Sequence, residues 1–306
     1  MRSYLSVLDF DEDETLEILD SAARLKIERQ SGKLHPYLKN THIALYFEKP
    51  SVRTRTSFTV GIHELGGHVV ELGTLNTKIG TGEHIEDFAS VIGRYIHLLV
   101  ARVFDHPSLV DMAKMAGVPV INALSDDSHP CQALADVLTI LERFEQIKGR
   151  RIAFVGEGNN VAVSLSLLCA KLGAEVRVVS PEGYGLPSWA MENAGDLSGT
   201  VTQLQDIDKA VTDADVIYTD TWISMGQEQE AEERRKIFSG YQVNDELLKK
   251  ASDEVIAMHC LPAIRGEEIT KDVMYGSHSA IWDQAENRLH VQKALMIKLI
   301  EAARQS

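Results

Sequence analysis

The feature that most limits what this chain can fold into is an alternation of short apolar runs with helical patterns. Residues 41–47, 68–72, 96–100 and 118–122 read as strands, with helices over 53–65, 83–94 and 107–116 between them. An acidic amphipathic helix over 13–29 precedes this series, and a longer helical pattern over 130–144 follows it. A second series starts at 151–155 and continues through 175–179, 215–218 and 255–259, with helices over 161–172 and 244–250. Parallel strands need long crossovers, which helices supply, so this rhythm predicts an α/β protein with mostly parallel sheets. At about 150 residues per domain, the 306-residue chain accommodates two of them. The expected architecture is therefore two similar domains, each a mostly parallel sheet flanked by helices, with the active site in the interdomain cleft. The boundaries expected are 1–136 for the first domain and 137–284 for the second. Leu289, Ala294, Leu295, Ile297, Leu299 and Ile300 make 285–306 a C-terminal helix able to pack back on the first domain.

Charge narrows the choice of ligands. Lys and Arg number 31 against 45 Asp and Glu, a formal net charge of −14, the wrong sign for a general nucleic-acid or anionic-membrane surface. An anionic ligand must then be held by locally placed arginines. The three cysteines, Cys131, Cys169 and Cys260, form no CxxC pair, which speaks against a disulfide framework or thiolate metal site and for a reducing, cytoplasmic setting. The N-terminus turns acidic within ten residues, where a signal peptide needs an apolar core, and no apolar run approaches the ~20 residues that span a bilayer. No nucleic acid and no membrane are expected as partners.

Five segments carry chemistry, four of them directly after strands. The first, FEKPSVRTRTSF from Phe47 to Phe58, places Ser51 to cap a helix whose apolar face is Phe58, Ile62 and Leu65. Free backbone N–H groups, the hydroxyls of Ser51 and Thr54 and the guanidinium groups of Arg53 and Arg55 then converge on a helix N-terminus, an anion site suited to phosphate. A capped surface helix with solvated arginines is the ordinary alternative. The second, HPCQALAD from His129 to Asp136, opens the long helix with Pro130 in its first turn, and the spacing of three lets His129 and Gln132 point the same way; both can equally serve as helix caps.

The third, GEGNNV from Gly156 to Val161, invites a dinucleotide reading. Val161 replaces the third glycine, and Ser180-Pro181 follows the next strand where an acidic ribose ligand would stand, which disfavours NAD. Asn159 and Asn160 can hydrogen-bond a ligand or serve the turn. In the fourth, DTWISMG from Asp220 to Gly226, Asp220 suits an ammonium group and Ser224 a carboxylate, against the alternative of a solvated loop. The fifth, HCLP from His259 to Pro262, restricts the backbone before its proline. Cys260 there reads as a structural thiol more readily than as a nucleophile. Arg288, in QAENRLH near the start of the last helix, is a further cation or simply a surface charge.

Taken in order, FEKPSVRTR, HPCQALAD, DTWISMG, HCLP and QAENRLH resemble the aspartate/ornithine carbamoyltransferase family, and within it the ornithine branch, over nearly the whole chain. The resemblance implies transfer of a carbamoyl group from carbamoyl phosphate to the δ-amine of L-ornithine, without metal or organic cofactor. It also implies a homotrimer or a multiple of trimers. Carried over by position, it implies Ser51, Val52, Arg53 and Thr54 on the phosphate, Val52 through its N–H. Arg102 bridges phosphate and carbonyl oxygen, His129 assists there, and Gln132 takes the carbamoyl nitrogen. Asn160, Asp220, Ser224 and Met225 match ornithine contacts; Cys260, Leu261 and Arg288 complete the site, with Arg102, His129 and Cys260 as the catalytic set. Lys78 falls in a loop that the family supplies from a neighbouring subunit. Putrescine and N-acetylornithine are the alternative amines within the family; a dehydrogenase and a non-catalytic subunit of the same fold are the alternatives outside it.

Overall fold

The computed structural model describes residues 1–73, 82–223 and 228–305. Two compact units divide it: Met1–Leu138 with Asn287–Ser306, and Thr139–Glu286.

The first unit opens with helix α1 (Glu12–Gln30), which begins in a capping box between Asp11 and Glu14. Then come β1 (His42–Phe47), α2 (Val52–Glu64), β2 (His68–Leu72), α3 (Ile85–Ile92), β3 (Leu98–Arg102), α4 (His106–Met115), β4 (Val120–Leu124) and α5 (Pro130–Phe144). The four strands are parallel in the order β2-β1-β3-β4. Every residue of β3 is buried, as expected of a strand covered on both faces, while β2 lies at the edge and is half exposed. Because β1 has β2 on one side and β3 on the other, the chain leaves the carboxyl ends of β1 and β3 in opposite directions and opens a crevice there.

The second unit contains β5 (Arg151–Val155), α6 (Asn160–Lys171), β6 (Glu175–Val179), α7 (Ser188–Ala194), β7 (Thr200–Leu204), α8 (Ile207–Val211), β8 (Val216–Thr219), α9 (Ala231–Phe238), α10 (Asp245–Leu248), β9 (Ile256–His259) and α11 (Lys271–Tyr275). Its strands are again all parallel, in the order β7-β6-β5-β8-β9, with the switch between β5 and β8. Strand β7 and helices α7, α8, α9 and α11 are not legible in the hydropathy pattern. Strand β7, TVTQL at the sheet edge, exposes most of its side chains and so carries no apolar signature. The last helix, α12 (Ile281–Gln305), lies with its residues from Asn287 onward in the first unit. There Lys293 and Leu289 pack against Gly61 of α2, where an added Cβ would meet Lys293 Cγ at 3.1 Å.

Candidate active site

In the first unit the chemistry gathers at the crevice just described. Ser51 caps α2 beyond the carboxyl end of β1, its hydroxyl accepting from Thr54 N at 3.4 Å, while the N–H groups of Val52 and Arg53 have no partner within the helix. Thr54, 1% exposed, is the meeting point of two arginines. Its Oγ1 accepts from Arg288 Nη2 at 2.7 Å and from Arg102 Nη1 at 3.5 Å. Arg102 is the last residue of β3, where the register against β4 shifts between Ala101 and Arg102 and re-aims the side chain. Arg288 Nη1 also donates to Gln132 Oε1 at 3.0 Å, and Gln132 is fixed from the other side by its Nε2 donating to Asp136 Oδ1 at 2.9 Å. His129 opens α5, its carbonyl accepting from the N–H groups of Gln132 and Ala133. Burial first, then the charges of Arg288 and Arg102, hold the His129 imidazole well below its ordinary pKa, so it is neutral at pH 7.

The structure thus brings Ser51, Thr54, Arg102, His129, Gln132 and Arg288 together. Val52 and Arg53 occupy the exposed first turn of α2, outside the buried cluster, and contribute there the N–H groups of the helix start. The expectation that both arginines of the segment converge on the anion site needs correction. Arg55 instead pairs with Glu71 of β2 and lies 4.8 Å from the Phe47 ring, because two positions beyond Arg53 the helix turns its side chain toward the neighbouring strand. Lys49 is a residue the sequence reading passed over. It stands 4.4 Å from the Phe104 ring, and burial, reinforced by the charge of Arg102, holds its ammonium below the ordinary range. Its place in the first motif was the available signal. Cys131 is an inert thiol: burial pushes it up to about 12.

In the second unit three loops follow β5, β8 and β9. Asp220, next after β8, is 8% exposed and accepts from three neutral donors: Asn159 Nδ2 at 2.9 Å, Thr221 N at 2.8 Å and Cys260 Sγ at 3.0 Å. Asn159 also caps α6, accepting from Val161 N and Ala162 N, so it serves the turn and fixes both the helix that Asn160 begins and the Asp220 carboxylate. Gly158 is required for packing, since a Cβ there would lie 2.3 Å from the Gly185 backbone. The HCLP loop is organised from beneath by fully buried His259. Its Nδ1 accepts from Leu261 N at 2.8 Å, which leaves the proton on Nε2, 3.1 Å from Glu268 Oε1. Leu261 itself has a φ of 59° and precedes a cis peptide bond to Pro262.

Donor atoms of Asp220, His259 and Cys260 lie within 4.8 Å of one another. Both His259 ring nitrogens are already engaged, so a cation drawing on that ring would have to break one of these bonds. Lys78, Ser224 and Met225 fall outside the described residues. Among the described residues, no helix is long and apolar enough to cross a membrane.

Each unit matches a family model of its own: residues 2–142 the aspartate/ornithine carbamoyltransferase carbamoyl-P binding domain, and residues 148–299 the Asp/Orn binding domain of the same family. The ornithine carbamoyltransferase of Pyrococcus abyssi is 51% identical over 303 residues, covering 98% of this chain and 96% of the relative. A Pyrococcus furiosus relative named as an anabolic ornithine carbamoyltransferase is 51% identical over 299 residues, with 96% and 95% covered. Among solved structures, an ornithine carbamoyltransferase from Pyrococcus furiosus superposes with a TM-score of 0.94 at 50% identity, covering 98% of this chain and 97% of that one. Two parallel-sheet units with chemistry at each switch point, and likeness at this level from end to end, lead to one conclusion: the chain belongs to the aspartate/ornithine carbamoyltransferase family.

Proposed function

We propose that this protein transfers the carbamoyl group of carbamoyl phosphate to the δ-amine of L-ornithine, giving L-citrulline and phosphate, as a step of arginine biosynthesis. The observation that carries the reading is one of opposite charge. The unit matching the carbamoyl-P model has two buried guanidinium groups on one threonine hydroxyl, and the unit matching the Asp/Orn model has a carboxylate held by neutral donors.

Residues 1–136 bind carbamoyl phosphate, 137–284 bind ornithine, and 285–306 return Arg288 to the first site. The phosphate rests on the N-terminus of α2, with Ser51, the N–H groups of Val52 and Arg53, the Arg53 side chain, Thr54 and Arg102 as its ligands. Lys78, in the loop that the family supplies from a neighbouring subunit, adds a cation to the same anion. Gln132 takes the carbamoyl nitrogen; Cys260 and Leu261 are assigned to the same group through their backbone, and Arg288 holds Gln132 and Thr54 in place. Asp220 takes the α-ammonium of ornithine, Asn160 and Ser224 serve its carboxylate, and Met225 is assigned to ornithine on the family resemblance. This arrangement favours ornithine over N-acetylornithine, whose α-nitrogen is neutral, and over putrescine, which has no carboxylate.

The δ-ammonium, with a pKa near the lysine value of about 10.4, is free amine in only about one molecule in a thousand near pH 7.4. Removal from water and the neighbouring guanidinium groups both favour the neutral form. That amine attacks the carbamoyl carbon. Arg102, neutral His129 and Thr54 stabilise the tetrahedral oxyanion, and the C–O bond to phosphate then breaks, the phosphate leaving with the bonding pair and taking a proton from the attacking nitrogen while its cradle offsets its charge. Asp220 contributes orientation by holding the far end of the nucleophile.

The deciding experiment is citrulline-forming turnover with ornithine, putrescine, N-acetylornithine and aspartate side by side. Preference for any amine other than ornithine overturns the substrate assignment and leaves the reaction class standing. A homotrimer or a multiple of trimers is the assembly proposed, on family resemblance, and light scattering of the purified protein tests it. A cytoplasmic location is proposed on the three free thiols.

A further inference from the structure

The second unit holds a buried cation to which the reaction above gives no part. Arg234, on α9, is 3% exposed. Its Nε donates to the backbone carbonyl of Trp222 at 2.6 Å, and its Nη2 donates to the Glu157 carboxylate. Tyr184 and Phe238 flank the guanidinium, their ring centroids 5.2 and 5.4 Å from its central carbon, and Trp222 stacks on Phe238 at 6.1 Å.

The partners are telling. Glu157 lies in the turn after β5, just ahead of Asn159 and Asn160; Trp222 lies in the loop after β8, two residues beyond Asp220. A single planar side chain therefore joins the two loops that present the amine-binding residues, beside the direct Asn159 to Asp220 bond. Charge gives a second argument. Burial chiefly, and the charges of Asp220 and Glu230 in addition, push the Glu157 carboxyl upward, and Arg234, whose Nη1 also lies 3.9 Å from Glu230 Oε2, opposes them. With Arg234 engaging Glu157, Asp220 is the carboxylate of this pair left to a cationic ligand.

We infer that Arg234 is a positioning residue for the amine substrate: by clamping the Trp222 carbonyl to Glu157 it holds the Asp220 loop and the Asn160 turn in one fixed register. The inference rests on the ornithine reading above. It deepens that reading by assigning substrate affinity to a side chain that touches no substrate. Lysine does not replace arginine here, since one ammonium on a flexible stem cannot reproduce a fork that addresses a carbonyl and a carboxylate at once between two rings.

The test is steady-state kinetics of the full-length wild type, Arg234→Gln, Arg234→Lys and Glu157→Gln, with each substrate varied in turn. The expected result is an ornithine KM raised about tenfold or more in Arg234→Gln, the equivalent of about 1.4 kcal/mol. Arg234→Lys recovers only part of this, and Glu157→Gln shows a smaller rise because the Trp222 anchor remains. The carbamoyl phosphate KM stays within about twofold throughout, a split that general loosening of the fold would not produce.

Should Arg234→Gln fail to fold, Arg234→Lys and Glu157→Gln carry the same comparison. Equal rises in both KM values, or an ornithine KM unchanged in every folded variant, overturn the role of Arg234. Wild-type protein that makes no citrulline from ornithine overturns the ornithine reading instead, so the two failures are distinguishable.

Discussion

The candidate sites of the two units stand at the same topological position and hold opposite charges by the same device. In the first unit a threonine hydroxyl and a glutamine amide, both neutral, accept from Arg102 and Arg288. In the second an asparagine amide, a thiol and a backbone N–H, again neutral, donate to Asp220. Neutral partners such as these fix the direction of a charged group without themselves cancelling its charge. The supports differ. On the anionic-ligand side the arginines stand on a strand end and a long helix, and the helix start of α2 is fixed by its own cap. On the amine side the carboxylate stands on a loop, and its placement depends on links between loops, through Asn159 and Arg234. A site built on regular elements needs fewer such links than one built on loops.

Breaking each site at its charged centre separates them most sharply. Arg102→Ala is expected to lower turnover by roughly 10²–10³-fold, the effect of losing one oxyanion donor, while the circular dichroism spectrum and Tm remain those of a folded protein. Near-wild-type citrulline formation by this variant would sink the assignment of the first site. Asp220→Asn acts on the other substrate. Loss of one charge-assisted contact worth about 1.5–3 kcal/mol should raise the ornithine KM by roughly tenfold to a hundredfold, with the carbamoyl phosphate KM unchanged. A rise in both constants would mean that the sites are not separable in this way.

Smaller effects sharpen the comparison. Because the folded His129 titrates well below the ordinary imidazole value of about 6.5, its contribution to stability is complete above that pH. It is lost as the pH falls, because the unfolded chain then binds a proton that the folded chain refuses. The decline in Tm from pH 7.5 to pH 5 should therefore be shallower in His129→Asn than in wild type; parallel declines would show that His129 is not the group responsible. Arg55→Ala is the smallest change. Its exposed pair with Glu71 is worth about 0–1 kcal/mol in stability, and both KM values should stay within about twofold of wild type, whereas a large rise for carbamoyl phosphate would return Arg55 to the anion site.

Much of the first site was legible because its parts lie in two short stretches whose local structure is dictated locally. Ser51 before an apolar-periodic helix and Pro130 at the start of another announce helix N-termini, and the residues around them inherit that position. What local pattern does not carry is direction across the fold. Arg53 and Arg55 look equivalent in the chain, yet one stands exposed at the helix start and the other pairs with β2. Arg288 reads equally as a surface charge until α12 is seen to bring it to Thr54, 234 positions away. In the second unit Asn159 reads equally as a ligand contact or a turn residue, and Arg234 as one of several charges in an acidic, basic-ended helix. Neither signal separates a buried clamp from a solvated side chain.

By itself, the sequence determined the α/β class, the parallel strands and the helix starts that a phosphate would use, since periodicity, capping and the needs of parallel crossovers act within a few residues or between neighbouring elements. It also determined which residue types were at hand, arginines in a chain of net charge −14 among them. Only the tertiary structure decided which charges face one another: Arg102 and Arg288 on Thr54, Asn159 and Cys260 on Asp220, Arg234 on Glu157. Hydrogen bonds and Coulomb forces depend on distance in space, and the packing of elements far apart in the chain sets that distance.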